Sequence, residues 1–285
     1  MKIALLFNKY YLHTWGIYVE KALRRTGHHI IHFQSHDLHT IKDKYDLYFK
    51  VDDGDYTYDF PAHLRPRVYY VSDLHLKPAY EQIKKQAGHY DIVFCAFLEG
   101  TKKLKAHGIK TYWVNAACDL DVHGKLDLPK KYAIGFVGTS GGIPRQFYLQ
   151  ALRERYPHSY IYHAPYTKMS EIYSQSKIGF SYPIRENCFT MRSFEILASG
   201  TFLLMKNFKN KNDNSIQTMG FRDNTHLKLF DSTDELFNII DYYLLHDRER
   251  EEIALQGYNF VKEYHTYDHR IKEILEIIKQ DLDIY

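Results

Sequence analysis

The sequence predicts an α/β protein of two Rossmann-like, parallel-sheet domains, and three features point there. Apolar runs of strand length alternate with amphipathic stretches from the first residue; the alternation lapses over residues 116–131; it then restarts in the same rhythm. Strands that alternate with helices imply a parallel sheet covered by helices on both faces. A chain of 285 residues is long enough to bury two cores of ordinary size.

KIALLF, at the start, is a compact apolar strand, followed by a helix from Thr14 to Arg25 that Gly27 closes. HIIHF and DLYFKV are the next strands, and RVYYVSD, DIVFCA and KTYWVN continue the series. Helical stretches from Ala79 to Gln86 and from Gly100 to Lys105 separate the later ones. AACDLDVHGKLDLPKK has no clear period and contains Gly and Pro, so residues 116–131 are expected to link a first domain over 1–115 to a second over 132–264. The second domain runs through YAIGFVG, a helix from Pro144 to Arg155, SYIYH, a helix from Lys168 to Ser176, KIGFSYP, a helix opening at Met191 and the strand TFLLM. From Thr233 onward the pattern is helical, with a break near Tyr264 to Thr266. Within the last segment, 265–285, Ile271, Ile274, Leu275 and Ile278 form an apolar docking stripe.

Composition narrows the function. Apolar residues at 45% and charged residues at 26% fit a soluble globular chain. No apolar run approaches the ~20 residues that span a bilayer, and MKIALLFNKYY turns polar too soon for a secretory signal, which places the chain in the cytoplasm. A net charge of +3, with cations scattered among nearly as many acids, does not favour nucleic acid as a partner; membrane contact is peripheral at most. Cys95, Cys118 and Cys188 lack CxxC spacing, and the histidine pairs His28–His29 and His36/His39 lack a third ligand, so no metal site is expected.

Two stretches can do chemistry. In NCFTMRSFEILASGTFLL, residues 187–204, a polar turn enters a short helix whose apolar residues Met191, Phe194, Ile196 and Leu197 leave Arg192 and Glu195 free. A helix N-terminus offers unpaired N–H groups to phosphate, and a carboxylate one turn on can accept ribose hydroxyls. An ordinary amphipathic helix is the alternative. In FVGTSGGIPR, residues 136–145, a glycine-rich turn around Gly138 and Ser140 joins a strand to a helix, and Arg145 on the first turn can pair with diphosphate oxygens. A plain connection is the alternative here.

These residues carry a resemblance. FVGTSGGIPR, KIGFSYPI and MRSFEILASGTFLLM resemble the C-terminal domain of GT-B glycosyltransferases of the "glycosyl transferases group 1" type, family 4, in the CgeB-like branch; the last matches R-x-F-E-x-L-A-x-G. DIVFCAFLEGTKKLKAHGIKTYWVNAACDLDVH resembles the end of that group's N-terminal domain. The resemblance implies a GT-B fold whose terminal helix crosses back to the first domain. It further implies transfer of a sugar from a nucleotide-diphosphate sugar, with retention and without a bound metal or cofactor. Glu195 matches the second glutamate of a paired motif and would hold the donor ribose; the first falls on Asn187, with Glu186 one residue off register. Arg145, Arg192 and the backbone amides around Thr190 and Met191 would stabilise the departing diphosphate.

The acceptor, a glycan, protein or small molecule, should meet the first domain in a cleft between the sheets, beyond the strands' carboxyl ends. Gly16, after the first strand, would let backbone approach a sugar or phosphate. Asp73 and His75, past the end of RVYYV, could orient or deprotonate an acceptor hydroxyl; a helix cap or solvated turn is their alternative. His163, at the end of SYIYH, points towards the cleft from the donor side; an incidental strand-end histidine is its alternative. A two-domain nucleotide-sugar epimerase and a GT-B module that binds without turnover remain the competing functions.

Overall fold

The computed structural model describes residues 1–10, 15–42, 44–72, 74, 77–183, 189–208 and 215–284. In chain order the first half holds β1 (Lys2–Leu6), α1 (Gly16–Arg25), β2 (His29–Phe33), β3 (Leu47–Val51), β4 (Arg67–Val71), α2 (Lys77–Ala87), β5 (Ile92–Cys95), α3 (Leu98–Ala106) and β6 (Thr111–Trp113). There follow α4 (Leu120–His123), β7 (Tyr132–Val137), α5 (Ile143–Arg155), β8 (Tyr160–Tyr162), α6 (Met169–Ser174), β9 (Ser176–Ser181), α7 (Met191–Ala198) and β10 (Phe202–Lys206). The chain ends through α8 (Ser215–Thr218), β11 (Lys228–Phe230), α9 (Thr233–Leu245), α10 (Asp247–Tyr264) and α11 (Tyr267–Leu282). Among the described residues no helix is long and apolar enough to cross a membrane.

The chain divides into two compact units, residues 1–116 with 267–285, and residues 117–266. The first is built on a six-stranded parallel sheet ordered β2-β1-β3-β4-β5-β6. Every residue of β3, β4 and β5 is buried, as strands covered on both faces must be. The terminal helix α11 belongs to this unit: Tyr267 stacks on Tyr18 of α1 at 5.6 Å between ring centroids, and Arg270 Nε donates to Asn115 O at 3.1 Å. Ile271, Ile274, Leu275 and Ile278, the expected stripe, are all buried.

The second unit has a five-stranded parallel sheet ordered β11-β10-β9-β7-β8. Its core joins Ile134, Phe136, Ile178, Phe180, Phe202 and Leu204 from the strands to Leu149, Leu152, Leu236 and Ile240 from α5 and α9.

Residues 117–131 differ from the expected link. They fold into the second unit: Cys118 N donates to His265 O at 3.1 Å, Asp119 caps α4, His123 is fully buried, and Lys130 Nζ donates to Ser174 O and Ser176 O. A one-turn helix followed by an extended run has no period to read, which is why the segment resembled a linker. The three-residue β11 was invisible for the same reason, as was the break between α9 and α10 at His246, which no Gly or Pro marks.

Candidate functional site

Within the second unit β7 has β8 on one side and β9 on the other, so the strand order reverses between β7 and β9. Helices leave the sheet in opposite directions at such a point and open a crevice beyond the strand ends. The two stretches singled out in the sequence meet here, one following β7 and the other following β9.

Gly138 follows β7 with φ of 145°. A Cβ there would collide with Nη2 of Arg192, so glycine is what lets the arginine lie across the turn. Arg192, the second residue of α7, donates from Nε to Val137 O at 3.0 Å and covers the Phe136 ring at 4.4 Å. Arg145, on the first turn of α5 behind Pro144, is 3% exposed. It donates from Nε to Tyr182 O at 2.8 Å and from Nη1 to Thr139 O at 3.3 Å, with its guanidinium 5.9 Å from the same Phe136 ring. Among the described residues no carboxylate ion-pairs with either guanidinium. Burial, with Arg192 adding repulsion, pushes Arg145 down to about 9. Two cations fixed by backbone carbonyls, with no carboxylate ion-paired to either among the described residues, are an arrangement suited to a polyanion.

The start of α7 adds donors. Thr190 is its N-cap with extended ψ of 163°, makes no side-chain capping bond, and has a buried Oγ1 without a hydrogen-bond partner among the described residues. Met191 is half-buried at the first helical position, and the leading N–H groups of the helix carry its positive end. Ser140 is exposed on the turn after β7. His163 is exposed just past β8, and Gly138 N donates to Tyr162 O, which ties the two strand ends together.

Glu195 is not on a free face as expected. It is 3% exposed, because α4 packs against α7 and brings His123 Nε2 to 3.7 Å from Glu195 Oε1. Burial pushes its carboxyl up to about 7, with Arg192 pulling the other way. His123 escaped the sequence analysis. Its only signal was the four-residue spacing from Asp119, one helical turn.

Asp73, His75 and Asn187 lie outside the described residues. Gly16 belongs to the first unit, where a Cβ would collide with the Phe7 ring, so the close approach it permits is between α1 and that ring. The carboxyl end of β3 carries a pair the sequence analysis passed over: Asp52 accepts from Ser72 N at 2.9 Å and Asp53 from Asn8 N at 2.6 Å. Burial raises the Asp53 carboxyl above the ordinary range.

Residues 115–276, more than half of the sequence, match the glycosyl transferase-like family. The chain belongs to that family. No curated protein matches this glycosyltransferase-family chain in sequence. Solved structures resemble its fold along the whole length. A sucrose-phosphate synthase from Thermosynechococcus elongatus does so at 12% identity, with a TM-score of 0.69 and 100% of both chains covered. An α-glucosyltransferase in complex with UDP and a 13-mer DNA containing an HMU base follows at 14% identity and a TM-score of 0.68, covering 98% of this chain and 99% of that one. HepE from Anabaena, in complex with UDP-glucose, has 10% identity and a TM-score of 0.64, covering 98% and 100%. At these identities the likeness is one of fold, and it identifies the two parallel-sheet units of this glycosyltransferase-family chain with the GT-B architecture.

The close approach of Arg192 makes Gly138 a sensitive position. Gly138→Ala should displace Arg192 from the turn, and isothermal titration is expected to show pyrophosphate binding weakened about tenfold, the worth of one charge-assisted contact. Unchanged binding would mean that Arg192 faces no anion.

Proposed function

We propose that this chain transfers a sugar from a nucleoside-diphosphate sugar to an acceptor hydroxyl, with the second unit holding the donor. The observation that carries the proposal is the pair Arg145 and Arg192, both anchored to backbone at the point where strand order reverses and, among the described residues, ion-paired with no carboxylate. When the C1–O bond of the sugar breaks, its electron pair leaves with the diphosphate. The acceptor oxygen bonds to C1 and releases its proton. Fixed donors aimed at the growing negative charge lower that barrier without reorganising. Arg145, Arg192 and the N–H groups of residues 190–192 are those donors, Glu195 accepts the ribose hydroxyls, and Gly138, Ser140 and His163 border the donor.

Retention of configuration and transfer without a metal or cofactor are part of the proposal, in keeping with the CgeB-like branch of family 4. Asp73 and His75 are the proposed acceptor-side groups. UDP is the first donor nucleotide to try, because it or UDP-glucose is bound in two of the similar structures. A glycan, protein or small molecule is the proposed acceptor; the DNA-bound relative makes duplex DNA a necessary arm of any acceptor screen.

Thermal shift against UDP, GDP, ADP, CDP and dTDP tests the donor site. One of them, at a hundred times its dissociation constant, should stabilise the fold by about 2.7 kcal/mol. Release of that diphosphate from its sugar conjugate then separates a transferase from a module that only binds. If none of the five stabilises the folded chain, the proposal fails.

A further inference from the structure

Beneath Glu195 lies a buried histidine that nothing in the donor chemistry has yet used. His123 is fully buried on α4, and its Nδ1 accepts the backbone N–H of Asp119 at 3.1 Å. A ring nitrogen that accepts from an amide N–H carries no hydrogen of its own, which leaves Nε2 as the ring's N–H. That N–H lies 3.7 Å from Glu195 Oε1. The separation is longer than a hydrogen bond and both side chains are buried, so the contact is a dipole facing the carboxyl group rather than an ion pair. Among the described residues, Arg192 on its own helix and Tyr173 of α6, whose hydroxyl accepts from Val137 N at 3.2 Å, also act on Glu195.

We propose that His123 is a positioning residue for Glu195: the Asp119 N–H fixes the imidazole tautomer, and the Nε2–H then faces one carboxyl oxygen and orients the group so that the other is presented to the ribose diol of the donor. The arrangement follows the general pattern in which a buried group that binds a ligand is oriented by a second group whose own hydrogen bond is pinned to backbone. It explains why a segment without periodicity folds onto α7 with a fully buried histidine at its end. Ser199 Oγ fastens the same point by donating to His123 O at 3.0 Å.

The inference rests on the donor-site proposal above, and the test separates the two. In the full-length chain, titration of UDP and of 2′,3′-dideoxy-UDP compares a ligand that Glu195 can read with one it cannot. His123→Phe keeps the ring volume and removes the N–H; it is expected to weaken UDP about tenfold or more and leave dideoxy-UDP within about twofold, with no further loss when combined with Glu195→Gln. His123→Gln, which restores an N–H near the Nε2 position, should recover most of the UDP affinity and serves as the readout should the phenylalanine variant fail to fold. Equal weakening of both nucleotides would assign His123 a purely structural role and overturn the proposal, as would unchanged UDP binding in both variants. Absence of UDP binding in the wild-type chain would overturn it together with UDP as the donor nucleotide.

Discussion

Replacing Arg145 by alanine is expected to lower the rate of nucleoside-diphosphate release from the sugar donor by a hundredfold or more. A single fixed donor facing the charge that develops on a leaving group is worth about 3 to 4 kcal/mol in the transition state. Arg145 fits that role because its position is set before substrate arrives: Tyr182 O and Thr139 O hold two of its nitrogens, and the Phe136 ring lies against its face. Lysine at this position keeps the charge but cannot span both carbonyls and still face a phosphate, so Arg145→Lys should recover only a small part of the rate. The effect on stability has the opposite character. In the free protein the buried guanidinium is pushed down to about 9 by desolvation and by Arg192, so at neutral pH the folded state bears the cost of an uncompensated cation. Pyrophosphate should therefore raise the Tm of the wild-type chain and leave that of Arg145→Ala nearly unmoved. Wild-type turnover in Arg145→Ala would show that the diphosphate lies elsewhere.

Glu195→Gln should separate stability from binding. The carboxyl ordinarily titrates at 4.5 and is pushed up to about 7 in the folded chain by burial. The folded state thus holds a proton that the unfolded state has released between these values, and folding stability declines as pH rises through that window. Glutamine carries no such penalty. At pH 8 Glu195→Gln is expected to be more stable than wild type by about 1 to 3 kcal/mol, a rise of a few degrees in Tm, and at pH 4.5 the two should converge. The same substitution should weaken UDP about tenfold to a hundredfold, since a neutral amide accepts the ribose hydroxyls less strongly than a carboxylate does. A side chain that destabilises the fold and strengthens the ligand is the expected signature of a binding group. Equal Tm values at pH 8 would show that the carboxyl is not held at a raised pKa.

The alternation of elements was legible because parallel strands buried on both faces become short, nearly continuous apolar runs, as in LYFKV and RVYYV. The two arginines were legible because their surroundings are local: GTSGGIPR and MRSFEILASG each place an arginine on the first turn of a helix that follows a strand. The environment of Glu195 was not. Periodicity identifies which residues share a face of α7 but not what covers that face, and six of its eight residues are buried. The covering piece comes from AACDLDVHG, whose single helical turn is too short to declare itself.

By itself the sequence determined the α/β class, the two parallel sheets, the glycine-rich turn and the two arginines, all of which follow from patterns within a dozen neighbouring residues. Only the tertiary structure decided that residues 117–131 belong to the second unit and that Glu195 is closed in beside His123. Those outcomes depend on which distant surfaces bury one another, and burial is what sets both the protonation of Glu195 and the uncompensated charge of Arg145.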